Sequence, residues 1–175
     1  MDKRPKVGIV TGSKSDLDVA KKVFETLEDL DIEAEVTIAS AHRTPDDAKS
    51  YAKNARDRGI KVIIAIAGLS AALPGVMAAH TSLPVIGVPV NAGTLGGFDA
   101  LLSIAQMPPG VPVAAMGIEG AKNAALMAAR IIALQDTLLR ERLCDAGLKG
   151  GQKVRESRTS ISGMPLAPEE AFTKE

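Results

Sequence analysis

The sequence predicts an α/β protein built on a doubly wound parallel sheet. Five apolar runs of strand length alternate with segments of helical periodicity along the chain. Most of these runs are rich in Val and Ile and show little apolar–polar alternation, which is typical of parallel strands buried on both faces. Of the 175 residues, 46% are hydrophobic but only 2% are aromatic. Small aliphatic side chains therefore fill the core, which suits closely packed layers.

The predicted elements follow one another in a regular order. The strands cover residues 6–11, 32–39, 61–67, 84–90 and 111–116. Between the first two strands, apolar residues recur at steps of three and four and give one stripe of a helix, formed by Leu17, Ala20, Phe24, Leu27 and Leu30. Pro45 begins the second helix and Gly59 ends it. Short helices are predicted over 71–80 and 98–106.

The last predicted helix is long, covering residues 122–143, and its apolar surface is broader than one face of a sheet needs. We expect its far end to pack on another subunit, although an ordinary long core helix explains the pattern equally well. Glycines and prolines then interrupt a polar stretch without a sustained period. We therefore predict one domain over residues 1–146 and an extended or partly disordered tail over 147–175.

Composition excludes several classes of function. Lys plus Arg and Asp plus Glu are 21 each, so no overall basic field attracts a nucleic acid, and few aromatic rings are present to stack on bases. No run of about 18 apolar residues and no signal-peptide pattern is visible, which argues against a membrane role. The single cysteine, Cys144, cannot form an internal disulfide. We expect a reduced, cytoplasmic protein.

The turn after the first strand has the composition of a phosphate site. It reads Thr11-Gly12-Ser13-Lys14-Ser15-Asp16 and leads into a helix. Backbone N–H groups, hydroxyls and the positive end of a helix all favour an anion there. A purely structural interpretation is equally open for Ser13, because Ser13 and Asp16 have the spacing of a capping box.

The turn after the second strand places an imidazole beside a guanidinium. It reads Ser40-Ala41-His42-Arg43-Thr44-Pro45. Imidazole is the usual general acid or base near neutral pH, and guanidinium fits phosphate or carboxylate. In doubly wound folds, ligands bind at the carboxyl ends of strands, which favours a functional role for His42. The other histidine, His80, lies at a predicted helix end and is interpreted as an ordinary surface or core residue.

Two glycine-bearing loops complete the same edge of the sheet. Residues 67–75 are small and let backbone approach a ligand closely, and residues 91–97 fit a mobile loop or lid. The dinucleotide fingerprint and the P-loop are absent from the sequence, as are the acidic cluster of a receiver domain and a biotin attachment site. Two histidines and one cysteine, widely separated, do not make a zinc site.

Four motifs together resemble one family. They are Gly12-Ser13-Lys14-Ser15-Asp16, Ser40-Ala41-His42-Arg43-Thr44-Pro45, Leu73-Pro74-Gly75 and Gln106-Met107-Pro108-Pro109-Gly110. The resemblance is to the N5-carboxyaminoimidazole ribonucleotide mutases of purine biosynthesis, which are related to the aminoimidazole ribonucleotide carboxylases, and it covers about residues 6–136. It implies a flavodoxin-like three-layer α/β/α sandwich, an octamer with its active site at subunit junctions, and no metal or organic cofactor.

The resemblance also implies roles for particular residues. His42 matches the catalytic histidine, and Asp16 matches a position that binds ribose hydroxyls. Ser13, Ser15 and Arg43 match positions that hold the ribonucleotide phosphate. The remaining substrate-site positions are Ser40, Ala41, Gly68, Ser70, Ala71 and Leu73.

One loop departs from the family pattern. Many mutases read Gly-Gly-Ala-Ala-His-Leu-Pro-Gly after the third strand, whereas this chain has Ala72 in place of the histidine. The direct carboxylases resemble Gly-Arg-Ser-Asn in this loop and carry a His-Lys pair after strand two, so Arg43 and Leu73-Pro74-Gly75 favour the mutase. A direct carboxylase and a non-catalytic ribonucleotide-binding module remain the alternatives.

Overall fold

A five-stranded parallel sheet forms the centre of the protein, in a computed structural model that describes residues 5–172. Its strands are β1 (Val7–Thr11), β2 (Ala34–Ile38), β3 (Val62–Ala67), β4 (Val85–Pro89) and β5 (Ala114–Ala115), in the order β2-β1-β3-β4-β5. All four pairings are parallel. The five predicted strands are confirmed. The fifth has only two residues because Pro112, within the predicted run, has no N–H to donate to a ladder.

Residues 5–172 contain six α-helices. They are α1 (Leu17–Glu28), α2 (Pro45–Asn54), α3 (Leu73–Ala79), α4 (Phe98–Ala105), α5 (Ala121–Ala133) and α6 (Thr137–Glu156). Short 3₁₀ turns cover Lys14–Asp16, Ser157–Ser160 and Glu169–Phe172. Within residues 5–172 no helix has both the length and the apolar character needed to cross a membrane.

The three inner strands β1, β3 and β4 are buried on both faces by two separate clusters of apolar side chains. Helices α1, α5 and the start of α6 pack on one face, and α2, α3 and α4 pack on the other. Strand β3 shows the division most clearly, because Ile64 and Ile66 belong to the first cluster while Ile63 and Ala65 belong to the second. This is a three-layer α/β/α sandwich, as predicted, and it explains why the strand runs lack apolar–polar alternation.

The C-terminal region differs from the prediction in two respects. The single helix expected over 122–143 is divided into α5 and α6, because Asp136 caps a new helix by accepting the N–H of Leu139 at 3.0 Å. Helix α6 then continues to Glu156, so the prediction of extended chain from residue 147 is wrong for 147–156. Glycine costs a helix only about 1 kcal/mol relative to alanine, and no proline stands in this stretch. Residues 161–172 are exposed. The division into a domain and a tail, and the packing of the last helix on another subunit, stay predictions.

Candidate active site

A pocket of about 420 Å³ lies at the carboxyl ends of β1, β2 and β3. Strand order reverses between β1 and β3, and ligands of doubly wound sheets bind at this point because the loops diverge there. The structure brings all eleven predicted site residues together around this pocket: Ser13, Ser15, Asp16, Ser40, Ala41, His42, Arg43, Gly68, Ser70, Ala71 and Leu73. Their individual roles stay predictions.

The turn after β1 presents hydroxyls at the start of a helix. The Ser13 hydroxyl accepts the Ser15 N–H at 3.4 Å, and the Ser15 hydroxyl donates to the Asp16 carboxylate at 2.9 Å. Asp16 lines the pocket and is only 7% exposed, so it is largely shielded from solvent. Ser13 therefore does cap a turn, as the structural interpretation proposed, and it faces the pocket as well.

The turn after β2 is held by two hydrogen bonds between a side-chain hydroxyl and a backbone N–H. The Thr44 hydroxyl accepts the Ser40 N–H at 2.9 Å, and the Ser40 hydroxyl accepts the Arg43 N–H at 3.2 Å. The Arg43 guanidinium crosses to the neighbouring turn, where Nη2 donates to the Gly12 carbonyl at 3.2 Å. Arg43 thus joins the β1 and β2 turns and presents positive charge beside their hydroxyls. His42, between these residues, is exposed.

The loop after β3 forms the opposite wall and has an unusual backbone. Leu69 has φ +55° and Ala71 has φ +33°, both in the left-handed region that residues with a side chain rarely occupy. The Ala71 N–H donates to the Gly68 carbonyl at 3.1 Å, which closes a four-residue turn around Ser70. Strained backbone of this kind is concentrated at functional sites in proteins.

The predicted list of site residues leaves out several residues of this pocket. The others that line it are Gly12, Ala67, Leu69, Ala72 and Ala92. Four of the five lie in loops that follow strands, and Ala67 is the last residue of β3. The sequence places all five in the segments at this edge, and that position is the signal that assigns them to the pocket. The loop over residues 91–97, predicted to be a lid, contributes one lining residue, Ala92. His80, at the end of α3, does not line the pocket.

The pocket combines four serine hydroxyls with three groups that carry or exchange charge, namely the Asp16 carboxylate, the His42 imidazole and the Arg43 guanidinium. Within the described residues, no group of three or more His, Cys, Asp or Glu side chains is placed to hold a metal ion. The arrangement can bind an anion with serines and arginine, and it can move a proton with the imidazole.

Known proteins resemble this chain over most of its length. A family described as AIR carboxylase matches residues 6–152. N5-carboxyaminoimidazole ribonucleotide mutase of Pyrococcus abyssi is 55% identical, covering 79% of this chain and 80% of that protein. The Bacillus subtilis protein of the same name is 51% identical, covering 90% and 99%. The crystal structure of Treponema denticola PurE superimposes with a TM-score of 0.82 at 34% identity, covering 91% of this chain and 99% of that chain. The chain belongs to the AIR carboxylase family and has its flavodoxin-like fold.

Proposed function

We propose that this protein is an N5-carboxyaminoimidazole ribonucleotide mutase of purine biosynthesis. The reaction moves a carboxyl group from N5 of the ribonucleotide to C4 and gives 4-carboxyaminoimidazole ribonucleotide. The observation that carries the proposal is the pocket, where an exposed imidazole lies between an anion-binding turn and a loop of small residues. More than half of the aligned residues are identical to proteins named for this activity.

The turns after β1 and β2 form the end of the pocket that holds the phosphate. The hydroxyls of Ser13 and Ser15 and the guanidinium of Arg43 supply the donors. One N–H of the Arg43 guanidinium donates to the Gly12 carbonyl, and this bond orients the guanidinium plane. Other N–H donors stay available to the ligand. The buried carboxylate of Asp16 is placed to accept hydrogen bonds from ribose hydroxyls.

His42 moves the proton in both halves of the reaction. Its imidazolium first gives a proton to N5 of the carbamate, the N5–carboxyl bond breaks, and carbon dioxide is released into the pocket. The C4 atom of the electron-rich aminoimidazole ring then forms a bond to the trapped carbon dioxide. Loss of the C4 proton to His42 restores the aromatic ring and the imidazolium. His42 therefore ends each cycle in the protonation state in which it began.

The small residues of the loop after β3 would keep water and bulky groups away from the carbon dioxide. Leu69 and Ala72 line this wall together with the predicted residues Gly68, Ala71 and Leu73. No organic cofactor or metal is required, because the ring itself supplies the nucleophile and the histidine supplies the proton.

We also propose that the protein is a homo-octamer with the pocket at subunit junctions. Apolar side chains beside the open pocket support an interface there. Leu69 lines the pocket, while Leu95 and Phe98 follow β4, and each is more than half exposed. Exposed apolar surface of this kind is typical of protein interfaces. Light scattering on active protein tests the assembly, and an active monomer would contradict it.

A paired assay tests the activity. Purified protein is given N5-carboxyaminoimidazole ribonucleotide in one cell and aminoimidazole ribonucleotide with near-physiological bicarbonate in the other. Formation of the C4 carboxylate only from the carbamate is the expected result, and it would show that Ala72 is tolerated in a mutase. Efficient conversion of the free ribonucleotide would identify a direct carboxylase instead, and no conversion in either cell would favour a non-catalytic binding module.

The role of His42 is tested by His42→Asn with His80→Asn as the matched control. His42→Asn is expected to lower kcat by about 100-fold or more, because proton transfer by a positioned group contributes this much, while the ribonucleotide still binds. His80→Asn is expected to retain wild-type turnover because His80 lies outside the pocket. Undiminished turnover in His42→Asn would refute the assignment.

A further inference from the structure

The strained turn after β3 needs an external support. Leu69 and Ala71, on either side of Ser70, both occupy the left-handed region although neither is glycine. The hydrogen bond inside the turn, from the Ala71 N–H to the Gly68 carbonyl, engages the N–H of the Ser70–Ala71 peptide and leaves the carbonyl of that peptide for a partner outside the turn. Backbone in this region persists only where surrounding structure holds it.

Ser103 of α4 supplies a bond at the centre of that turn. Its hydroxyl donates to the Ser70 carbonyl with an O···O distance of 2.6 Å, across 33 residues of sequence. This distance is at the short end of the range for a hydroxyl that donates to a carbonyl oxygen. Ser103 itself is not among the residues that line the pocket, so it contacts the loop from outside the pocket.

Helix α4 gives Ser103 a fixed position. The adjacent Ile104 is fully buried, and its Cγ2 methyl lies so close to Gly87 of β4 that any side chain at Gly87 would clash with it. Close packing without free volume prevents the helix from sliding along the sheet. The hydroxyl of Ser103 is therefore an anchor rather than a mobile partner.

The other side of the turn is supported by packing. Gly93, at φ +69°, leaves room for the Leu69 side chain, since a Cβ at Gly93 would lie 2.8 Å from Leu69 Cδ2. Apolar packing of Leu69 has no preferred direction, whereas the bond to Ser103 is directional. Two directional bonds therefore orient the Ser70–Ala71 peptide, the one inside the turn and the one from Ser103.

We infer that Ser103 is a positioning residue of the mutase site, which holds the turn over residues 68–71 in its substrate-binding conformation without touching the substrate. The inference rests on the proposed function, and on Ser70 and Ala71 as predicted substrate-site positions that line the pocket. Without the hydroxyl, the turn relaxes for part of the time to backbone angles that its side chains prefer. Only the fraction in the strained conformation then binds substrate.

The inference predicts a particular kinetic pattern. Apparent affinity falls with the fraction of protein in the competent conformation, and loss of one hydrogen bond shifts the equilibrium against that conformation about fivefold to tenfold. With the two conformations about equally populated in the free wild-type protein, the competent fraction falls about threefold to fivefold. Ser103→Ala is therefore expected to raise KM about threefold to fivefold and to change kcat by less than twofold. Alanine favours helices, so α4 remains folded. Ser103→Thr keeps the hydroxyl and is expected to restore most of the affinity.

The experiment compares wild type, Ser103→Ala, Ser103→Thr and the control Ser50→Ala, which removes an exposed hydroxyl from another helix. Steady-state kinetics with N5-carboxyaminoimidazole ribonucleotide give KM and kcat, and hydrogen exchange without ligand follows the peptide that contains residues 68–72. Faster exchange of that peptide in Ser103→Ala alone, with the KM effect, is the expected result. A fall in kcat at constant KM, or unchanged exchange of the loop, overturns the inference. Exchange requires no turnover, so an inactive wild type would refute the proposed function separately.

Discussion

The contact between Gly8 and Tyr51 sets the spacing between β1 and α2, and the two turns of the anion site adjoin these elements. The Tyr51 hydroxyl donates to the Glu35 carboxylate at 2.7 Å, and Arg58 pairs with the same oxygen. Burial, followed by the bond to Glu35, raises the pKa of the Tyr51 phenol, so the hydroxyl stays protonated at physiological pH. A side chain at Gly8 would clash with this hydroxyl.

Gly8→Ala is expected to cost about 2–4 kcal/mol of folding free energy. Overpacking a close-packed core costs about 1–3 kcal/mol, and displacement of the ring removes a hydrogen bond worth about 1 kcal/mol. Tyr51→Phe alone loses about 1 kcal/mol for the same bond. Once the hydroxyl is gone, the nearest ring atoms lie 3.2 and 3.3 Å from the added Cβ, so a shift of a few tenths of an ångström accommodates it. The double variant is therefore less destabilised than the sum of the single variants, by about 1 kcal/mol or more.

Urea unfolding of wild type, both single variants and the double variant measures this coupling, with all samples at one protein concentration because oligomers unfold in a concentration-dependent way. Displacement of α2 also moves the turn that carries His42 and Arg43, so Gly8→Ala is expected to raise KM and the double variant to recover part of the loss. Additive free energies within about 0.3 kcal/mol would refute a direct clash between the two groups.

Two further predictions concern a helix cap and the anion site. Asp136→Ala is expected to lower the free energy of unfolding by about 1 kcal/mol by removing the acceptor for the Leu139 N–H, whereas Asp136→Asn retains most of the stability. The Leu139 hydrogen bond holds the pKa of Asp136 below its ordinary value, so its contribution is present above about pH 4 and is lost as pH falls through the lower folded pKa. A stability difference that stays constant from pH 7 to pH 3 would contradict this cause. Arg43→Lys is expected to raise KM about tenfold at nearly constant kcat, because an ammonium cannot bond to the Gly12 carbonyl and a phosphate with the same planar geometry. An unchanged KM would refute the proposed contact with the phosphate.

The strands and the outline of the site could be predicted from sequence because both depend on local patterns. Aliphatic runs without alternation indicate strands that are covered on both faces, and β3 is covered in this way. Once parallel strands are predicted, their carboxyl ends must meet at one edge, so the turns that contain Ser13 and His42 are predicted to lie at the same edge of the sheet. No long-range information is needed for that step.

The backbone of the site loop could not be predicted in this way. Positive φ is expected at glycine, asparagine or aspartate, whereas here Leu69 and Ala71 adopt it. Ser103 helps to hold this strained backbone, but it is distant from the loop in sequence. It also lies in a helix whose apolar pattern predicts packing against the sheet and no contact with the loop. The break before α6 is a different case, because Asp136 is a recognisable cap but the apolar stripe continues across it through Leu134 and Leu138.

The pocket depends on contacts between loops as much as on the sheet that carries them. Arg43 joins the β2 turn to the β1 turn, and Ser103 and Gly93 hold the β3 loop from outside the pocket. Each contact is made by one exposed or half-buried group, while the stability of the fold comes from the two buried clusters of the sandwich. Substitutions at these contacts are therefore expected to alter KM before they alter stability, whereas substitutions between sheet and helices, such as Gly8→Ala, alter both.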